Sequence, residues 1–131
     1  MSVFESAVTV NKPAAQVYAF LADMNNHHRL MPDNIADWVS TTDEASFTIP
    51  NITSLSLTIA ERVTDSLIRI IPAGPPPFEM ELKWELTEAD NTTEAVFTIT
   101  AGLNMMMKML ASGPLQKLAD EETTNLAKLL S

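Results

Sequence analysis

The segment Phe78–Leu86 sets the strongest constraint on how this chain can fold. Phe78, Met80, Leu82, Trp84 and Leu86 alternate with Glu79, Glu81, Lys83 and Glu85. A period of two puts the apolar side chains on one face of a strand and the charged ones on the other. A sheet with one wet and one dry side is built from antiparallel hairpins, and something apolar must cover the dry side. Neighbouring segments obey the same rule. Ser54–Val63 sets Leu55, Leu57 and Ile59 against Ser54, Ser56 and Thr58, and Thr93–Ala101 sets Phe97 and Ile99 against Thr98 and Thr100. Shorter strands are expected over Ile35–Ser40, Ala45–Ile49 and Leu67–Ile71, with turns at Pro50–Asn51, Thr64–Ser66 and Asp90–Asn91. The stretch Pro72–Pro77 lies between strands and reads as a stiff loop.

Val3–Val10 reads as a further strand, with Phe4, Val8 and Val10 on one face. Asn11 is expected to cap a helix whose first turn holds Pro13, a position where a missing N–H costs nothing. That helix runs through Asp23 with Val17, Tyr18, Phe20 and Leu21 on its apolar side. A short polar helical turn over Asn26–Met31 ends at Pro32. At the other end of the chain, Leu103, Met106, Met107, Leu110, Leu115, Leu118, Leu126, Leu129 and Leu130 recur near the helical period. Gly113–Pro114 interrupts this run, so the helix is expected to bend near its middle or to consist of two segments. It is the only element long enough to cover the sheet. The expected class is α+β: a strand, two short helices, six strands and a long helix.

This order resembles the START-like, helix-grip superfamily (SRPBCC), which contains polyketide cyclase/dehydrase and lipid-transport proteins. The opening FESAVTVNKPAAQVYAFLAD carries the resemblance, with a strand running into Asn11-Lys12-Pro13-Ala14 and then a helix with Val17 and Phe20 inward. The strand-rich middle and the closing helix extend it over residues 1–131 as a single domain. It implies a curved seven-stranded antiparallel sheet that grips the last helix and leaves a cavity. That cavity would lie between the concave face and the helix's first half, lined by Leu57, Ile59, Ile70, Met80, Trp84, Phe97, Met107 and Leu110. Such a lining favours an apolar or aromatic guest. Its mouth would lie among Pro50–Thr53, Ala73–Pro77 and Gly102–Asn104. The same apolar stripe is also what a filled core presents.

Charge and composition narrow the partners. With 17 acidic and 8 basic residues the net charge is −9, which repels phosphate backbones and anionic lipid surfaces, so no nucleic-acid partner is expected. Cysteine is absent, which removes thiolate metal sites and cysteine nucleophiles and fits a reducing compartment. The first residues, with Glu5, Lys12 and Pro13, do not form a secretory signal, and no run approaches the roughly 18 apolar residues of a membrane span. A soluble cytoplasmic protein is the expectation. No Gly-x-Ser-x-Gly, His-Glu-x-x-His or phosphate-loop pattern occurs, and no cofactor is implied.

A few polar residues are candidates for chemistry. Glu61 continues the inward set by alternation, and an inward carboxyl could transfer protons. A bulge, or pairing with Arg62 or Arg69, would instead turn it to water. His27–His28 reads as a surface pair with too few companions for zinc, though either ring, His28 above all, could act as an acid or base if it faced the cavity. Tyr18, the only tyrosine, could offer its hydroxyl to the interior. Arg69 is expected on the outer face, and Asp120-Glu121-Glu122 reads as a solvated helix face. Met105, Met106, Met107 and Met109 crowd the start of the last helix, as core filler, as an adaptable gate, or, for Met105 and Met109, as an exposed pair meeting a partner. Three functions follow: a carrier or sensor of a small hydrophobic molecule, a cyclase/dehydrase-type enzyme, or a chaperone-activator-like interaction module.

Overall fold

The alternating segments assemble into one antiparallel sheet. A computed structural model of the chain describes residues 1–50, 53–76 and 78–130. The strands are β1 (Ser2–Val10), β2 (Ala36–Ser40), β3 (Glu44–Ile49), β4 (Thr53–Val63), β5 (Leu67–Pro72), β6 (Met80–Ala89) and β7 (Thr92–Ala101). Their order is β1-β7-β6-β5-β4-β3-β2, so a meander from β2 to β7 is completed by β1 at its edge. Between β1 and β2 lie α1 (Ala14–Leu21), α2 (Met24–His27) and a 3₁₀ turn, His28–Leu30. The closing helix is α3 (Met105–Leu130). The chain is therefore α+β: a curved seven-stranded antiparallel sheet wrapped around a long C-terminal helix.

Register explains why the inner face is continuous. Phe4, Ile99, Leu82, Ile70 and Ile59 stand side by side across β1, β7, β6, β5 and β4. The next row is Ser6, Phe97, Trp84 and Ile68. The turn at Asp90–Asn91 holds both residues at left-handed φ, 54° and 64°, which suits the twist of a tight hairpin. Ala111, Leu115, Leu118, Ala119 and Leu126 form the buried stripe of α3, which packs on β1 and β7. Pro114 lies within this helix, which runs as one element through it, so the two-segment form is not adopted. Among the described residues no helix is long and apolar enough to cross a membrane.

The helix ends are fixed by partners distant in sequence. Pro13, and not Asn11, occupies the cap position of α1, and the Ala14 N–H donates to Glu88 Oε1 at 2.7 Å. Glu88 thus reaches across from β6 to supply the acceptor expected of Asn11. The helix stops at Leu21, and Asp23 caps α2 by accepting from the Asn25 N–H at 2.9 Å. Arg62 donates to the Ala22 carbonyl through Nε (3.1 Å) and Nη2 (2.8 Å) and pairs with Asp43 at 2.7 Å, tying the end of α1 to β4. Because the guanidinium is partly solvated, Arg62→Ala is expected to cost about 1–2 kcal/mol, measured by urea unfolding. The expected turn at Asn51 and the end of the proline loop at Pro77 lie outside the described residues.

Candidate functional site

A groove of about 360 Å³ opens where the middle of α3 meets the free end of the sheet. One wall is Gly113, Pro114, Lys117 and Leu118 of α3; the other is Ile49 and Pro50 at the end of β3 and Pro32, Asn34 and Ile35 before β2. The helix supplies space here because Gly113 has no side chain: a Cβ at that position meets nothing within 4 Å. The walls are mainly aliphatic. Lys117, the one cation among the lining residues, lies 3.7 Å from Glu121. On the far side of Pro32 a second, polar hollow of about 360 Å³ is lined by Asp33, Asp120, Glu121, Thr124, Asn125 and Lys128 with Met31. The volume of the apolar groove falls within the range of small-molecule sites.

None of the eight residues expected to line a cavity borders this groove. Leu57, Ile70, Met80, Trp84 and Phe97 are buried in the core, and Ile59 and Met107 are half-buried against it. Trp84 and Phe97 stack with ring centroids 4.5 Å apart. Leu110 differs from expectation: it is 60% exposed. Ala111 takes the inward direction in that turn, so Leu110 points aside, one turn before Pro114 on the same flank of α3. The groove lies along Gly113–Leu118, from the latter part of the helix's first half to its midpoint. Of the expected mouth, Pro50 borders this groove, while Gly74–Pro76 edge a separate hollow of about 170 Å³ beside Ser54–Ser56.

The weak catalytic candidates do not converge. A register shift between Ile59 and Glu61 reverses the alternation, so Glu61 faces out, partly exposed, 3.3 Å from Arg69. Arg69 also reaches Glu81 at 3.6 Å on the same outer face. His28 is exposed and stacks on Trp38 at 5.0 Å, which in turn stacks on Phe47 at 5.3 Å. Tyr18 is half-buried on α1. The histidines are not a surface pair: His27 is buried, and its Nε2–H donates to the Leu21 carbonyl at 2.7 Å. Burial lowers its pKa and keeps the ring neutral. Among the described residues no group of side chains could hold a metal ion.

A second ionisable group expected in solvent also lies inside. Glu122 is buried within the stripe of α3, one turn after Leu118 and one turn before Leu126. Burial pushes its carboxyl up from 4.5 to about 8, and Oε2 has no hydrogen-bond partner. The signal was present in the spacing, since Leu118, Glu122 and Leu126 share a face. The adjacent Asp120 and Glu121 concealed it. Near the start of α3, Met105 and Met109 stand out at 81% and 83% exposure.

No protein-family model matches this sequence, and no curated protein does. Solved structures do. A START superfamily protein from Mycobacterium smegmatis aligns over 97% of this chain and 98% of its own, at 14% identity and TM-score 0.67. The solution structure of the KanY protein aligns over 98% and 97%, at 15% identity and TM-score 0.78. The Aha1 dimer from Colwellia psychrerythraea aligns over 99% and 96%, at 13% identity and TM-score 0.69. At such identities the likeness is one of fold.

Proposed function

From its START-like helix-grip fold, we propose that this chain binds a small hydrophobic molecule, lipid-like or aromatic, between its sheet and α3. The observation that carries the reading is the apolar groove at the middle of α3, with Ile35, Ile49 and Leu118 on its walls. A guest would lie beside Gly113, against Ile35, Ile49 and Leu118. Burial of apolar surface would drive binding at about 25 cal/mol per Å². The lack of cysteine and the acidic surface suit a cytoplasmic carrier or sensor with no nucleic-acid partner.

The neutral dye N-phenyl-1-naphthylamine tests this. Its fluorescence is expected to rise on titration with the protein. Gly113→Phe should cut that binding at least tenfold, because the new ring occupies open space in the groove. The same change removes a helix-interior glycine, so the fold should not suffer. Glu61→Gln should leave binding unchanged, since Glu61 lies on the outer face. No rise in fluorescence with the wild-type chain would refute the reading. An enzyme of the cyclase/dehydrase type loses support from Glu61 and His28, which both face out. The interaction-module reading is favoured by the exposed Met105 and Met109. If the pair meets a second copy of the chain, the wild type should dimerise in sedimentation runs, and replacing both by lysine should leave a monomer that still binds the dye; a monomeric wild type would count against that reading.

A further inference from the structure

Among the described residues, two buried side-chain polar atoms lack a hydrogen-bond partner, Glu122 Oε2 and Trp84 Nε1. One is an acceptor and the other a donor, and they belong to opposite walls of the same interior. Trp84 sits on the inner face of β6, in the row Ser6, Phe97, Trp84. The helix is pinned at the level of that row, because Thr123 Oγ1 meets Ser6 Oγ at 2.7 Å. Glu122 is the neighbour of Thr123, turned about 100° from it around the helix axis. Side chains on both flanks fix that direction. Gln116 and Thr123 hold the β1 side, through Glu5 O and Ser6, and Asn125 holds the opposite side by donating to Leu30 O at 2.8 Å. Glu122 lies between these flanks, in the buried stripe of α3 that packs on the sheet. The other indole has no such vacancy, since Trp38 Nε1 donates to Ser40 Oγ at 3.0 Å.

Buried polar atoms are rarely left unpaired, and each exception calls for an explanation. We propose that Glu122 and Trp84 form a polar subsite inside the helix grip that anchors one hydroxyl group of an otherwise apolar guest, an alcohol or a phenol. The proposal rests on the hydrophobic-ligand reading above and adds the guest's polar end. A single hydroxyl satisfies both walls: its oxygen accepts from Trp84 Nε1–H, and its O–H donates to Glu122 Oε2. A carboxylate is disfavoured, because burying its charge costs far more than burying a hydroxyl. Leu118, on the groove wall, stands one turn from Glu122, so a guest whose apolar body fills the groove can place its hydroxyl at the subsite.

Competition against bound N-phenyl-1-naphthylamine tests this, with naphthalene, 2-naphthol and 2-naphthoate as competitors at pH 7. We expect 2-naphthol to displace the dye at a concentration at least tenfold below naphthalene, and 2-naphthoate to be the weakest. Glu122→Leu should erase the preference for naphthol while naphthalene still binds, and Glu122→Gln, which keeps an acceptor oxygen, should restore most of it. In ¹⁵N-correlated spectra the Trp84 indole N–H should shift with naphthol and not with naphthalene; Trp38→Phe identifies the signal. Equal displacement by naphthol and naphthalene, with the Trp84 signal unmoved, would overturn the subsite and leave the apolar groove standing. Failure of the dye itself to bind would overturn both.

Discussion

Glu122→Leu is expected to stabilise this chain, by on the order of 3 kcal/mol at pH 8, because it removes a buried carboxyl from an apolar stripe. The pH dependence follows from the same burial. Folded, the carboxyl titrates at about 8; its ordinary value is 4.5. The folded chain therefore keeps a proton that the unfolded chain releases across that interval. The associated stability is whole below pH 4.5 and falls as pH rises, until it is gone above about 8. At about 1.4 kcal/mol per pH unit, the full loss is on the order of 5 kcal/mol. His27 acts in the opposite sense. Its folded pKa lies below 6.5, so its contribution is whole above pH 6.5 and is lost as the solution turns acid. Urea unfolding between pH 6.5 and 8 thus isolates Glu122: the wild type should lose about 2 kcal/mol across that window, and Glu122→Leu should be flat. A flat wild-type profile would mean that Glu122 is solvated or paired.

Trp84→Ala carries the second large effect. The indole is fully buried and stacks on Phe97. Truncation leaves a cavity in the buried inner face, and the expected cost is about 3–5 kcal/mol by denaturant titration. Trp84→Phe separates packing from polarity. It keeps a ring against Phe97 and removes an indole N–H that has no partner in the folded chain, so its cost should be below about 2 kcal/mol. A guest that depends on the indole N–H should then bind the phenylalanine variant as weakly as its non-hydroxylated analogue. If Trp84→Phe proves as costly as Trp84→Ala, the indole N–H has a structural partner and its assignment to a guest fails.

Local periodicity made most of the architecture legible. The alternation of Phe78–Leu86 fixed the inner face of β6, and Asp90–Asn91 marked its hairpin. The features that escaped are set by contacts between residues far apart in sequence. Glu61 belongs to the inward set by counting in twos, but the register shift after Ile59 reverses the count, and nothing in Ile59-Ala60-Glu61 announces a bulge. Asn11 has the chemistry of a cap, yet Glu88 reaches Ala14 first, from a strand 74 positions away. His27 looks solvated in its polar sequence, and only the packing of α2 against β3 and the following turn buries it. Leu110 and Ala111 compete for one inward direction, and the smaller residue takes it. The groove could not be read from the chain at all, since it brings together Pro32, Ile49 and Pro114. Glu122 was legible in principle, through its spacing from Leu118 and Leu126.

The central claim is that the space between sheet and α3 admits an apolar guest through the groove at Gly113. Native mass spectrometry in the presence of saturating N-phenyl-1-naphthylamine tests it most directly. The account predicts a one-to-one complex for the wild-type chain and bare protein for Gly113→Phe. Bare protein in both samples, or equal complex formation in both, would contradict it.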